Sequence, residues 1–251
     1  MIITSKSNKT AKLLHSLSQK KYRDETGLFV VEGKRGVSDV LNFAPELVRE
    51  IVTSPSLADE YPNPVVFSDE LLASVCETVT SQGVAAIVRK PAPVPSYCDK
   101  ALFLDGLRDP GNIGTLLRTA CAAGFGDVYI KDCADVFSGK VVRSTMSAIV
   151  KVKIIHADAD TPDTLKAMGY TIAGADMNGE DAFSSDLPNG RICLIVGGEA
   201  DGITDEVKSK CDKILSIPMT GDIESLNAAV SGAVLMYEIN RKRSYENKQV
   251  R

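Results

Sequence analysis

Apolar residues along this chain gather in short continuous runs, and between the runs they recur at helical spacing. In the first ninety residues the runs are LFVVEG (28–33), VREIVTS (48–54), PVVFS (64–68) and GVAAIVRK (83–90). These predict strands, while the polar stretch 8–22, KRGVSDVLNFA (34–44) and DELLASVCETV (69–79) predict helices among them. From residue 101 the rhythm is clearer. Strands are predicted for ALFLDGL (101–107), DVYIK (127–131), VKIIHA (152–157), YTIAGAD (170–176), RICLIVGGE (191–199) and KILSIPM (213–219). Helices are predicted over 112–123, TPDTLKAMG (161–169), TDEVKSKCD (204–212) and 225–243. Strands that are apolar throughout are buried on both faces, so the pattern predicts an α/β fold with a mostly parallel sheet. KPAPVPSYCDK (90–100) carries prolines at 91, 93 and 95, which cannot join a helix or a central strand. It reads as a linker (93–97) between a small α/β domain, 1–92, and a larger one, 98–251.

Ligands of parallel sheets bind beyond the carboxyl ends of strands, so the loops there carry the candidate chemistry. The first is LDGLRDPGNIGTLLRTACAAGF (104–125). Pro110-Gly111 makes a turn, Asn112 is placed to cap the following helix, and Gly124 supplies its stop. Ile113, Leu116, Leu117, Ala120 and Cys121 form its buried stripe, and Arg118 lies about 140° around from Ile113. The second is LIVGGEADGI (194–203), whose glycines let a ligand approach the backbone, with Glu199 beside them. It is neither a Walker loop nor a dinucleotide fingerprint. The third, SIPMTGDIESLNAAVSGAVLMYEI (216–239), passes from strand through an acidic turn to a helix that opens on small residues. Ser225 can cap that helix. A cap does not explain Asn227, nor the small face of Ala228, Ala229, Ser231, Gly232 and Ala233, which suits close packing of another backbone or a partner subunit.

At 251 residues, 44% hydrophobic and 25% charged, the composition is that of an ordinary globular protein. No run is long enough for a membrane helix and MIITSKSNKTAK has no signal-peptide core, so a cytoplasmic location with no membrane partner is expected. The six cysteines form no CxxC pair and the two histidines stand alone, so no metal is expected and the thiols read as buried and reduced. Charge changes the picture more. Residues 1–35 hold eight Lys/Arg against three Asp/Glu, 8 − 3 = +5, and the rest of the chain carries 21 − 30 = −9. A basic end on an acidic protein fits a polyanion partner. Its cations are Lys6, Lys9, Lys12, Lys20, Lys21, Arg23, Lys34 and Arg35.

Together, DPGNIGTLLRTA, IVGGEADGI and SIPMTGDIESLNAAVSGAVLMYE resemble the three ordered motifs of the SpoU, or TrmH-like, RNA ribose 2′-O-methyltransferases of the SPOUT superfamily. KYRDETGLFVVEGKRGVSDVL and SQGVAAI resemble that family's N-terminal RNA-substrate-binding domain. The resemblance implies a trefoil-knotted catalytic domain, a homodimer, S-adenosylmethionine as methyl donor, and structured RNA as partner, not DNA. It implies roles for Asn112 and Arg118 in the first motif, with Arg118 the catalytic arginine, for Glu199 in the second, and for Ser225 and Asn227 in the third. It implies cofactor binding around Gly197, Gly198, Ile217, Leu226 and Asn227, and RNA binding through Lys9, Lys20, Lys21, Arg23, Lys34 and Arg35. Gly198 and Ala200 stand where relatives have a polar residue and a glycine, and Ser147 and Lys153 where they commonly have glycine and proline. Large-subunit ribosomal RNA is the expected substrate, with tRNA the alternative. Three rival readings stay open: an inactive RNA-binding relative, a nucleotide-dependent oxidoreductase, and a base methyltransferase.

Overall fold

A computed structural model describes residues 1–249 apart from 79, 188–189 and 222–224, with 244–249 as backbone only. Residue 79, at the end of one expected helix, and the acidic turn 222–224 therefore lie outside the described residues. The chain forms two compact units, Met1–Pro91 with Asp135–Lys151, and Ala92–Ala134 with Val152–Arg251. The proline segment stands at the first boundary. The segment 135–151, expected with the larger domain, packs instead in the first unit.

In the first unit, β1 (Leu28–Glu32), β2 (Val48–Thr53), β3 (Val65–Val66) and β4 (Val84–Arg89) make a mixed sheet in the order β1-β4-β2-β3. The expected helix over 8–22 divides into α1 (Lys9–Ser16) and α2 (Lys20–Thr26). Asn8 caps α1 with bonds from the amides of Thr10 and Ala11, and Gly27 ends α2 at φ 65°. With α4 (Asp69–Val75), α1 and the sheet bury Leu14, Leu17, Phe67, Leu72 and Ile87 in one core, and α3 (Lys34–Phe43) buries Val37 and Val40. The returning segment enters through Phe137, whose ring lies 5.2 Å from that of Phe29. Arg23 is buried here. Its guanidinium donates to Asp135 at 2.6 Å and to the Leu17 carbonyl at 2.6 Å. It is therefore removed from the expected RNA-binding set, because a cation enclosed and paired in this way cannot reach a phosphate.

The second unit is built on β5 (Lys100–Asp105), β6 (Asp127–Lys131), β7 (Lys153–His156), β8 (Tyr170–Asp181), β9 (Arg191–Gly197) and β10 (Lys213–Ser216). All five pairings in the order β10-β8-β9-β5-β6-β7 are parallel. β5 and β9 are buried along nearly their whole length, as their unbroken apolar runs require. Pro218 stops β10 short of the expected Met219, because proline has no amide for the ladder. Helices α5 (Pro110–Ala123), α6 (Gly139–Ser144, in the first unit), α7 (Thr161–Ala167), α8 (Asp205–Lys208) and α9 (Ala228–Gln249) complete the set.

The small face of α9 serves a contact within the chain. A Cβ on Gly232 would lie 2.4 Å from Leu116 Cδ2 on α5 and 3.2 Å from Val196 Cγ2, so the two helices approach at this glycine. Gly232→Ala is expected to cost ~1–3 kcal/mol by overpacking, seen as a lower denaturant midpoint. An unchanged midpoint would mean that the Leu116 side chain gives way to the added methyl.

Of the six cysteines only Cys193 is fully buried, and the other five are half-buried. Burial still pushes the Cys76 thiol up to about 12, and the Cys133 and Cys211 thiols up to about 11. At neutral pH these groups hold their protons and are poor nucleophiles.

Candidate active site

Beyond the carboxyl ends of β9 and β10 the second unit encloses a cavity of about 660 Å³. Gly197, Gly198, Glu199, Ile217, Ser225, Leu226 and Asn227 all line it, so the second and third loops meet on one space. Val196, Leu215, Leu226 and Leu235 give it apolar wall, and Asp176, Glu199 and Asp201 give it carboxylates. The Lys208 ammonium, 2.7 Å from Asp176, holds that carboxyl below the usual carboxylate range. No lysine or arginine is among the described residues of the lining.

A chain of side-chain hydrogen bonds ties the three loops together. Asn227 Oδ1 accepts from the amides of Ala229 and Val230, at 2.9 and 3.3 Å. Its Nδ2 donates to Asn112 Oδ1 at 2.9 Å, and Asn112 Nδ2 donates to Glu199 Oε1 at 2.6 Å. Asn227, not Ser225, is thus the cap of α9. The amide satisfies the helix with its oxygen and reaches the neighbouring loop with its nitrogen, which one hydroxyl could not do at both places. Asn112 is likewise released from capping. Asp109 caps α5, accepting from the Asn112 amide at 2.8 Å, which frees the Asn112 side chain for the other two loops.

The glycines of the second loop act differently from expectation. A Cβ on Gly197 would sit 2.0 Å from the Gly202 carbonyl carbon, and one on Gly198 2.9 Å from the Gly106 oxygen. Residues 198 and 202 exchange both backbone hydrogen bonds, at 3.0 and 3.1 Å. The missing side chains therefore make room for the protein's own backbone, and the closed loop presents Glu199 at its tip.

Sequence reasoning missed what anchors this loop. Asp105, fully buried at the end of β5, accepts from the Thr204 amide and hydroxyl at 2.8 and 2.7 Å. Its other oxygen is 3.0 Å from Lys131 Nζ at the end of β6. Burial pulls the Lys131 pKa down, but the bonds from Asp105 and Asp132 outweigh it and raise it overall. The signal available was a carboxylate ending the run LFLD, and its register opposite Lys131 exists only in the sheet.

Arg118 stands apart. It is exposed on α5, does not line the cavity, and makes no hydrogen bond or ion pair among the described residues. In the first unit, Lys9, Lys20, Lys21, Lys34 and Arg35 are exposed. Lys20 pairs with Asp24 at 3.1 Å and Lys21 with Glu25 at 3.8 Å, which lowers the charge they offer a partner.

The cavity's chemistry discriminates among ligands. Asp176 is paired with Lys208, but Glu199 and Asp201 have no facing cation among the described residues, so the cavity favours a positively charged occupant and repels the pyrophosphate of a dinucleotide. The residues present fit S-adenosylmethionine, with apolar wall for its nucleoside and carboxylates for its cationic groups. They do not fit NAD. A parallel α/β unit that ties three polar loops around such a cavity, carried with a small α/β unit whose first 35 residues are rich in lysine and arginine, fits an RNA methyltransferase.

Residues 99–237 match the SpoU rRNA Methylase family, and residues 8–86 the MRM3-like substrate binding domain. The chain is 32% identical over 244 residues to the 23S rRNA (guanosine(2553)-2′-O)-methyltransferase RlmP of Bacillus subtilis, covering 94% of this chain and 98% of the relative. Its fold is similar to the AdoMet-bound rRNA methyltransferase of Sinorhizobium meliloti, with a TM-score of 0.82, 25% identity and 96% and 97% of the two chains covered. It is equally similar to the AdoMet complex of the SpoU methyltransferase AviRb from Streptomyces viridochromogenes, with a TM-score of 0.81, 25% identity and coverage of 94% and 98%. The chain belongs to the SpoU rRNA methylase family, whose activity is S-adenosylmethionine-dependent 2′-O-methylation of RNA.

Proposed function

We propose that this protein methylates a ribose 2′-hydroxyl in large-subunit ribosomal RNA, in the cytoplasm, as a homodimer with knotted catalytic units. The observation that carries this reading is the Asn227–Asn112–Glu199 chain of hydrogen bonds at the rim of an acidic cavity. The Bacillus subtilis relative, named for 23S ribosomal RNA, makes that RNA the first substrate to test.

When bound, S-adenosylmethionine supplies an electrophilic methyl group. Backbone at Gly197, Gly198, Ile217 and Leu226 would hold it, with Asn227 and Ser225 at the rim. Glu199, fixed by Asn112, would order the entering ribose. A guanidinium keeps its proton in proteins, so Arg118 does not serve as a general base. It stabilises negative charge developing on the 2′-oxygen, and the proton leaves that oxygen to a phosphate or water. Its absence from the lining of its own chain's cavity supports action on the cavity of the partner subunit. On α9, Val230 and Tyr237 are exposed one heptad apart and suit the seam between subunits.

Tritium transfer from labelled S-adenosylmethionine to unmodified 23S rRNA and to tRNA transcripts tests the activity and the choice of RNA. Incorporation into 23S rRNA at a ribose is expected. Label in tRNA alone would move the substrate, and label in neither would reject the reading. Binding through Lys9, Lys20, Lys21, Lys34 and Arg35 should weaken with salt, log K falling by about 0.7–0.9 per phosphate neutralised for each unit of log salt. An affinity flat across that range would exclude these cations.

A further inference from the structure

We infer that the first unit contains a pocket for a single unpaired nucleotide of the RNA, with Arg35 on its phosphate and Gln82 on the edge of its base. This deepens the function proposed above and rests on it.

The pocket is a cavity of about 290 Å³, distinct from the one beyond β9 and β10. It stands near the lower bound of ligand sites, roughly 300 Å³, which suits one nucleotide and excludes a base pair. One part of its wall is apolar: Val31, Val40, Val142, Met146 and Ile149. The other part offers Arg35, Thr78, Thr80, Gln82 and Arg143. Apolar wall facing a few fixed polar groups suits an extruded base, whose faces are apolar and whose edge is not.

The polar groups left open are mainly donors. Glu32 lines the cavity, but its carboxylate accepts from the amides of Glu77 and Thr78 at 2.7 and 3.0 Å, with Arg143 at 3.8 Å. Gln82 Oε1 accepts from the Lys34 amide at 2.9 Å, which leaves the two Nε2 hydrogens for a ligand. Arg35 is exposed and makes no hydrogen bond or ion pair among the described residues. Beside it, Lys34 has only a solvent-exposed pairing with Glu60 at 3.8 Å. The open charge at this cavity is positive, so its ligand is anionic.

The rim is held in a demanding conformation. Met146 and Ser147 have φ of 47° and 68°, consecutive non-glycine residues in the left-handed region. Ser147 is fixed there by a bond to Asp39 at 2.8 Å. Such backbone persists where the surroundings over-determine it, and it gathers at ligand sites.

Gln82→Glu keeps the acceptor for the Lys34 amide and replaces the two donors, and Arg35→Gln removes the cation. Filter binding of unmodified 23S rRNA transcript should show each variant weakened roughly tenfold, the loss of one good base or phosphate contact. Arg35→Gln should also lower the salt slope by about one. S-adenosylmethionine binding, measured by calorimetry, should be unchanged in both, which shows that the fold is intact. With 4-thiouridine-substituted transcript, photocrosslinks should map to peptides carrying 78–82 or 142–149. Wild-type affinity in both variants, or crosslinks confined to other peptides, would overturn the pocket. Binding and crosslinking need no catalysis, so a wild-type protein that crosslinks here without methylating rejects the proposed function and leaves the pocket standing.

Discussion

Arg118→Ala is expected to lower kcat for methyl transfer by roughly 100- to 1,000-fold, the usual consequence of deleting one preorganised stabiliser of developing charge. S-adenosylmethionine affinity should be unchanged, because Arg118 does not line the cavity of its own chain. Stability should also be unchanged, since the side chain is exposed and has no partner among the described residues. A residue on a well-capped helix, with nothing to hold within its own unit, is free to act elsewhere. Arg118→Lys separates charge from geometry: it keeps the cation and loses the planar fork that can contact two oxygens at once. Less than a tenth of wild-type kcat is expected for it, on the order of one lost bidentate contact. A lysine variant at wild-type rate would show that any cation suffices. A dimer made from one Arg118→Ala chain and one chain disabled in its cavity decides the remaining point. Such a mixed dimer retains one working site if the arginine crosses to the partner, and that same pairing is inactive if it acts within its own chain.

Asp105→Ala is expected to cost ~3–5 kcal/mol, because it leaves a mostly buried ammonium without its main partner. For a chain of this size that corresponds to a fall in melting temperature of about 6–20 °C. The loss should extend to cofactor affinity. Asp105 holds the Thr204 amide and hydroxyl, and Thr204 follows directly on the closed loop that presents Glu199. Asp105→Asn keeps an acceptor for Thr204 and abolishes the charge facing Lys131, so it should lose stability while sparing more of the cofactor affinity. Calorimetric melts and S-adenosylmethionine titrations on both variants check this. A melting temperature within a degree or two of wild type for Asp105→Ala would show that Asp132, 3.2 Å from Lys131 and largely exposed, is partner enough.

Much of the site was legible before any coordinates, and the reason is local. A continuous apolar run as short as RICLIV, ending on glycines, reads as a central strand with a loop over the sheet at its end. Asn112, Glu199 and Asn227 each stood at a strand-to-helix junction, so their gathering followed from parallel topology. Roles that depend on a partner distant in the chain were not legible. A capping residue is chosen by backbone angles: Asp109 displaced Asn112, and Asn227 displaced Ser225, although each rejected residue is a competent cap. Arg23 reads as one more cation among eight until Asp135, 112 residues away, closes over it. Gly197 and Gly198 read as room for a ligand until Gly202 and Gly106 are seen to occupy that room.

Strand and helix order, the parallel sheet, the family and most of the residues that line the cavity are legible from the chain alone. Those depend on hydrophobic period and turn chemistry, which are local, and on the order of three motifs along the chain. Which unit receives 135–151, which side chains cap, that Asp105 locks the second loop, and that Arg118 stands clear of its own cavity emerge only once the chain is folded. The caps are local choices made by backbone angle, while the docking of 135–151 and the Asp105–Thr204 bonds are contacts between residues far apart in the chain. Such contacts are selected by packing and by the demand that every buried polar group find a partner, and no local pattern encodes them.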